Sequence, residues 1–178
     1  KVVYLCFELK SLKMKHLLQI ALFLCVAITS AQVKLELTPQ GFTPIEIELS
    51  KKSFDKITEV SKSWAPYYNK KGADVYDVTQ NSLSIGAFNE SAYYYWNLGV
   101  KYNYDIKYIM TIKAKENNKY VLIFKVNEIL TDDALTKITT ADFFTAEGNV
   151  KQEYDESKSS LESNVNKIVN SYIDYIAK

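Results

Sequence analysis

The side chains that most often perform chemistry crowd one end of this sequence. Its only histidine, His16, and both cysteines, Cys6 and Cys25, fall within the first 25 of 178 residues. All 22 basic residues are lysines, so the chain has no arginine. Without its first 31 residues it keeps no His, Cys or Arg. Ser-His-Asp and Cys-His nucleophile systems and the common zinc sites cannot be assembled from what remains. Carboxylates are left. Asp132-Asp133, Asp142 and Glu147 lie close enough in sequence to bind calcium or to act as acid and base. Their spacing matches no EF-hand loop, and a solvated acidic loop is the simpler reading. The five glycines, at 41, 72, 86, 99 and 148, are scattered, so no loop cradles a phosphate. The expectation is no catalytic residue, no metal site and no cofactor.

The remaining lead is aromatic. Tyr93-Tyr94-Tyr95-Trp96 occupies one strand-like run. With Ala92, Tyr94, Trp96 and Leu98 assigned to the core, Tyr93 and Tyr95 point outward. Lys107, Ile109, Ile123 and Lys125 fall on the outward face of the strand pair that follows. Tyrosine beside apolar and lysine side chains gives rigid, amphipathic contact area, so Tyr93, Tyr95, Lys107, Ile109, Ile123 and Lys125 form the candidate ligand-binding surface. The bland alternative is a half-buried sheet in which tyrosine is simply a good strand former. Asn89-Glu90-Ser91 matches a glycosylation sequon and is read as coincidence.

Met14-Lys15-His16 opens a segment with the layout of a secretory signal. A short positive start precedes an apolar run, Leu17 to Ile28, broken only by Gln19, and Thr29-Ser30-Ala31 ends it with small residues. Cleavage after Ala31 is expected, with residues 14–31 as signal peptide and 1–13 as upstream sequence outside the mature protein. The apolar run is shorter than the roughly 20 residues of a membrane span. A lipidated Cys25 is the alternative, against which Leu24 is bulky where such signals place a small residue. Loss of 1–31 removes four lysines and one acid, leaving 18 lysines against 20 acids in residues 32–178. A chain of that length buries enough surface to fold without disulfides.

The elements that must position any site are legible from periodicity. Val33, Leu35 and Leu37, then Ile45, Ile47 and Leu49, alternate with polar residues and predict two short strands. Ser50 or Ser53 caps a helix with Phe54, Ile57, Val60, Trp64 and Tyr68 on one face. Pro66 predicts its end or a kink at Ala65. Strands follow over 74–79, 82–88, 91–98, 101–113 and 119–127, the last two joined at Glu116-Asn117-Asn118 as a hairpin. Residues 130–149 read as a long connection with a short strand near Asp142-Phe143-Phe144. From about Gln152 to the end, Leu161, Val165, Ile168/Val169, Tyr172/Ile173 and Ile176 recur at helical spacing. The prediction is one α+β domain over 32–178, an antiparallel sheet with two helices packed on one face in the order β-α-β(n)-α.

This order resembles a family of exported bacterial domains of unknown function with a TATA-binding-protein-like (TBP-like) fold. The residues that carry the resemblance are the helix SFDKITEVSKSWAPYYNK (53–70), the hairpin YNYDIKYIMTIKAKENNKYVLIFKV (102–126) and the amphipathic terminal helix. It implies a curved antiparallel sheet gripped by helices and an export role, and no activity. A helix-grip fold with a ligand cavity is the structural rival. Proteins of TBP-like shape that read DNA bring basic side chains and apolar wedges to the minor groove. Here the mature chain is slightly acidic and lacks the arginine that groove contacts favour, so no nucleic-acid partner is expected.

The sequence thus predicts an exported, periplasmic or cell-surface, non-enzymatic binding or envelope-associated domain. Its partner is an unidentified envelope or extracellular one, and the mature chain has no transmembrane span. A carboxylate-dependent envelope hydrolase and a carrier of an apolar ligand between helix and sheet are the alternatives.

Overall fold

A computed structural model describes residues 32–49, 52–130 and 138–178. The expected leader and upstream segment, and the Asp132-Asp133 pair, lie outside the described residues. Among the described residues are seven strands and two long helices. β1 (Leu37–Thr38) and β2 (Gly41–Phe42) form a separate small hairpin. Its turn needs a positive φ, which Gly41 supplies at 107°. β3 (Ile45–Glu48), β4 (Ala73–Tyr76), β5 (Ser82–Asn97), β6 (Val100–Ala114) and β7 (Lys119–Leu130) form a five-stranded antiparallel sheet ordered β3-β7-β6-β5-β4. The expected Asn117-Asn118 turn joins β6 to β7, both residues at positive φ.

Alternation decides which sheet face is covered. Leu83 and Ile85 on β5, Ile106, Tyr108, Met110 and Ile112 on β6, and Leu122 and Phe124 on β7 are all buried under the helices. Helix α1 (Phe54–Tyr68) is capped by the Ser53 side chain, which accepts from the Lys56 N–H. It buries Ile57, Ser61 and Trp64. Helix α2 (Asp155–Ala177) buries Leu161, Val165, Ile168, Val169, Tyr172 and Ile176, the stripe its spacing predicts. Each such side chain contributes roughly 1.5–3 kcal/mol by leaving water. The helices lock through Trp64 edge-on to Tyr172 at 5.0 Å and through Ser61 Oγ and Tyr172 Oη at 2.8 Å. Tyr108 ties sheet to helix by donating its hydroxyl to Asn69 Oδ1 at 2.8 Å. This is the α+β architecture expected, with both helices on one face.

Four local expectations are corrected. Helix α1 runs through Pro66 to Tyr68. Proline there removes only the bond to Lys62, on the exposed side. Asn69 then closes the end with its backbone N–H and Nδ2 both donating to the Ala65 carbonyl, at 3.0 and 2.9 Å. Residues 82–88 and 91–98 are one strand, not two. The short strand expected near Phe143 is reduced to one antiparallel bridge, Phe144 to Val150, and is preceded by a 3₁₀ turn, Thr140–Phe143, that starts at a Thr139–Asp142 capping box. Residues 33–36 form no strand and dock along helix α2, and only Leu37, in β1, also pairs with another strand. Val33 N donates to Asn170 Oδ1 at 3.0 Å, Leu35 N to Asn166 Oδ1 at 2.7 Å, and Leu37 N to Glu162 Oε1 at 2.8 Å.

Candidate functional site

The strongest departure from a plain sheet is an arm made by β5 and β6. β4 pairs with β5 only as far as Ala87, and β7 pairs with β6 only from Asp105 onward. Past these points β5 and β6 continue as a two-stranded ribbon from the Tyr93↔Tyr104 row to the Asn97↔Val100 row. A bulge between Asn89 and Tyr93 marks its base. Ser91 sits there at φ 48°, its N–H donating to Asp105 Oδ1 at 2.8 Å. A ribbon has an open edge, and helix α2 covers the β5 side with polar side chains. Ser157 Oγ donates to the Tyr94 carbonyl at 2.8 Å, Ser160 Oγ accepts from Tyr94 N at 3.3 Å, and Asn164 Nδ2 donates to the Ala92 carbonyl at 3.0 Å. Edge groups that would otherwise invite a foreign strand are thereby satisfied.

The arm corrects the expected orientation of Tyr93 and Tyr95. Tyr93 is 2% exposed and lies on the helix face, stacked on Tyr104 at 5.1 Å and edge-on to Phe143 at 5.5 Å. Tyr95 follows on the same face against Tyr154 at 5.5 Å. The reason is parity. Between the Asn89↔Ile106 and Tyr93↔Tyr104 rows lie three residues of β5 and one of β6, an even excess, so Tyr93 and Tyr95 return to the face of Leu83 and Ile85. Burial, followed by the neighbouring Tyr104 and Tyr154, pushes the Tyr93 phenol well above its ordinary range. Tyr93 is therefore a core residue.

The other four expected residues do share a face. Ile109 pairs with Lys125, and Ile123 pairs with Thr111 one row further along, on the side of the sheet away from the helices. Lys107 and Lys125 are exposed, while Ile109 and Ile123 are half-buried. Lys107 is engaged by Glu128, Nζ to Oε2 at 2.7 Å. Lys107, Ile109, Ile123 and Lys125 thus make a mixed, partly self-neutralised surface, apart from Tyr93 and Tyr95.

What sequence reasoning missed is the end of the arm. Leu98 and Gly99 form its two-residue turn, at φ 49° and 80°. Positive φ at both positions is the requirement of a type I′ hairpin turn, where Asn-Gly is the favoured pair. Leucine in the left-handed region costs about 1–2 kcal/mol, and this one is also 97% exposed. Trp96, Val100 and Tyr102 around it are 48%, 52% and 42% exposed. On the outward face Lys101 Nζ rests 4.1 Å from the centre of the Tyr94 ring, a cation–π contact. Neither the strain nor the exposure of Leu98 helps the isolated domain. The signal was readable: Asn97-Leu98-Gly99-Val100 puts a branched apolar residue where a hairpin wants asparagine.

A second polar constellation lies at the opposite end of the sheet. The Glu46 carboxylate bridges Lys119 Nζ at 2.9 Å and Lys115 Nζ at 3.0 Å, beside Asn81 and Asn117. Hydrogen bonds from Lys119 and Lys115 pull its carboxyl down to about 2. The three groups satisfy one another in full solvent, which is a surface ion pair with its own counterions. Asp142 accepts from Thr139 N and Oγ1 at 2.7 and 2.8 Å, so this expected acid serves a turn. Glu147 is held below its ordinary range by the Thr145 hydroxyl. Among the described residues no three of His, Cys, Asp and Glu gather in a way that could hold a metal ion.

The arm projects from an α+β domain in which an antiparallel sheet carries two helices on one face, in the order β-α-β(n)-α. A solved structure sharing it is that of a TBP-like protein from Parabacteroides distasonis ATCC 8503. It superposes with a TM-score of 0.52 over 75% of this chain and 90% of that one, at 17% identity. A likeness at that identity shows the fold and nothing of activity. No protein-family model and no curated protein matches the chain.

Proposed function

We propose that this chain is an exported, non-enzymatic binding domain of the cell envelope, and that its contact surface is the end of the β5–β6 arm. The observation that carries the reading is Leu98, 97% exposed and held at positive φ among Trp96, Val100 and Tyr102. Strain and exposed apolar surface that do nothing for the fold point to use elsewhere. The expected leader, residues 14–31, supports export. The expected absence of His, Cys and Arg from the mature chain supports binding over catalysis. The space between helices and sheet is filled by Trp64, Tyr108, Phe124 and Tyr172, each at 2% exposure or less, which weighs against an apolar-ligand carrier.

The test is site-specific photocrosslinking in a membrane and envelope extract. A benzophenone side chain at position 98 is expected to label a component of the extract, and one at Ile109 on the open sheet face is not. Equal labelling from both positions, or none from position 98, refutes the arm as the contact surface.

A further inference from the structure

We infer that the tip of the β5–β6 arm docks on the surface of a lipid bilayer, an inference that rests on the arm's being the contact surface. Three observations favour a bilayer over a protein partner.

The first is area. Trp96, Leu98, Val100 and Tyr102 together offer on the order of 400 Å² at their observed exposures, against about 800 Å² per partner in a standard protein interface. A narrow convex wedge is poorly shaped to gain the difference from a folded protein, whereas a bilayer closes around whatever enters it.

The second is layering. Register places the side chains in successive rows along the arm, roughly 3.4 Å apart. Leu98 and Val100 lead, Trp96 with Lys101 forms the next row, and Tyr95 with Tyr102 the one behind. Aliphatic, then aromatic with a lysine able to snorkel, is the depth order of a membrane interface. An interfacial element buries about 5–10 Å, which is the depth of these rows.

The third is charge. Lys101 is the only charged residue between Ser91 and Tyr104, so no carboxylate enters with the tip. Asp105 stands four residues behind Lys101, and the acids Glu153, Asp155 and Glu156, at the start of α2 and in the turn before it, lie at the level of Tyr94 and Tyr95, behind Trp96 and Leu98. The leading charge is positive and the acids trail, which suits a surface with anionic headgroups.

The molecule carries its own reporter. Of its two tryptophans, Trp64 is fully buried and Trp96 is 48% exposed, so a change in indole emission on binding comes from Trp96. The core draws on residues from Leu35 to Ile176, so residues 32–178 are the material to use. They are titrated with vesicles of phosphatidylcholine containing one quarter phosphatidylglycerol, following emission, acrylamide quenching and co-sedimentation. The wild type is expected to co-sediment with a blue shift and reduced quenching. Leu98→Asn should lower partitioning at least tenfold with an unchanged circular dichroism spectrum, since asparagine suits the turn. Lys101→Gln should give a smaller loss that vanishes at high salt. Wild type that ignores the vesicles, or Leu98→Asn that binds as wild type does, overturns the inference. If vesicles fail yet the crosslinker at position 98 captures a discrete protein, the bilayer is wrong and the contact surface stands. If the crosslinker labels nothing as well, both fall.

Discussion

Asn166 and Leu35 exchange two hydrogen bonds as if they were facing residues of two strands. Asn166 Oδ1 accepts from Leu35 N at 2.7 Å, and Asn166 Nδ2 donates to the Leu35 carbonyl at 3.1 Å. Asn170 repeats the exchange with Val33, at 3.0 and 2.9 Å. Four residues of helix rise about 6 Å and two residues of extended chain about 6.7 Å, so side chains at i and i+4 match a backbone at j and j−2. Helix α2 thus presents a row of amides that behaves as a sheet edge, and residues 33–37 dock on it.

Removing one rung should expose that dependence. Asn166→Ala leaves the part-buried N–H and C=O of Leu35 without partners, at a cost of about 1–3 kcal/mol. For a domain of this size each kcal/mol lowers Tm by roughly 2–4 °C. Asn166→Asp keeps the acceptor but turns an oxygen toward the Leu35 carbonyl, so it should not rescue. Thermal unfolding and amide exchange at Leu35 are the measurements. Unchanged Leu35 protection in Asn166→Ala would show that the amide row does not hold the segment.

The buried phenols give a prediction at high pH. Burial raises the ionisation of Tyr93, Tyr108 and Tyr172 above the usual value of about 10. In the unfolded chain these groups lose their protons first. Their contribution to stability is therefore complete below about pH 10 and declines as pH rises beyond it. Phenolate absorbance should show these three of the 14 tyrosines titrating only as the fold opens. Tyr172→Phe should remove one late-titrating group. It should also cost about 1 kcal/mol, for the bond to Ser61 at 2.8 Å. Fully reversible titration of every tyrosine with native circular dichroism would contradict this.

The fold was legible because its apolar periods are clean. The even-numbered run from Ile106 to Ile112 on β6 and the Leu161-to-Ile176 stripe on α2 are buried as their spacing requires. The arm was not, because parity within a strand is fixed by where the strand begins. A break assumed before Ser91 reversed Tyr93 and Tyr95, whereas the bulge keeps β5 continuous. The polar flanks of α2 were passed over for a different reason. Ser157, Ser160 and Asn164, and Glu162, Asn166 and Asn170, look like a solvated face until the backbone beside them is known. Only the regular spacing of the second set hints at a docked strand.

The Glu46 bridge should show in titration and not in stability. Its two lysines hold the carboxyl near 2. A depressed carboxyl stabilises above the unfolded value of about 4.5 and loses that contribution as pH falls toward 2. All three groups are solvent-exposed, and pairs of this kind contribute little. NMR of the Glu46 side chain should place its midpoint near 2. Lys119→Met should raise that midpoint toward the ordinary value while leaving Tm within error. High salt should do the same in the wild type, because exposed pairs are screened. A marked fall in Tm for Lys119→Met would mean that the bridge fastens β3 to β7.

Leu98 makes the opposite prediction from most apolar residues: its replacement should stabilise. Leu98 buries nothing, being 97% exposed, and it occupies a left-handed conformation at φ 49° that branched side chains disfavour. Asparagine tolerates that region and precedes glycine in the favoured type I′ pair, here Gly99 at φ 80°. Leu98→Asn should therefore gain about 1 kcal/mol, or roughly 2–4 °C in Tm. Leu98→Val, β-branched and still apolar, should lose stability at the same site. Measured together, the pair separates backbone conformation from side-chain burial, since neither variant removes buried contact at a residue 97% exposed and the two differ in their tolerance of positive φ. A stabilised Leu98→Asn that also loses its binding partner would identify Leu98 as a residue kept at the fold's expense. A destabilised one would mean that the leucine packs within the fold after all, and the arm would then need no partner to explain it.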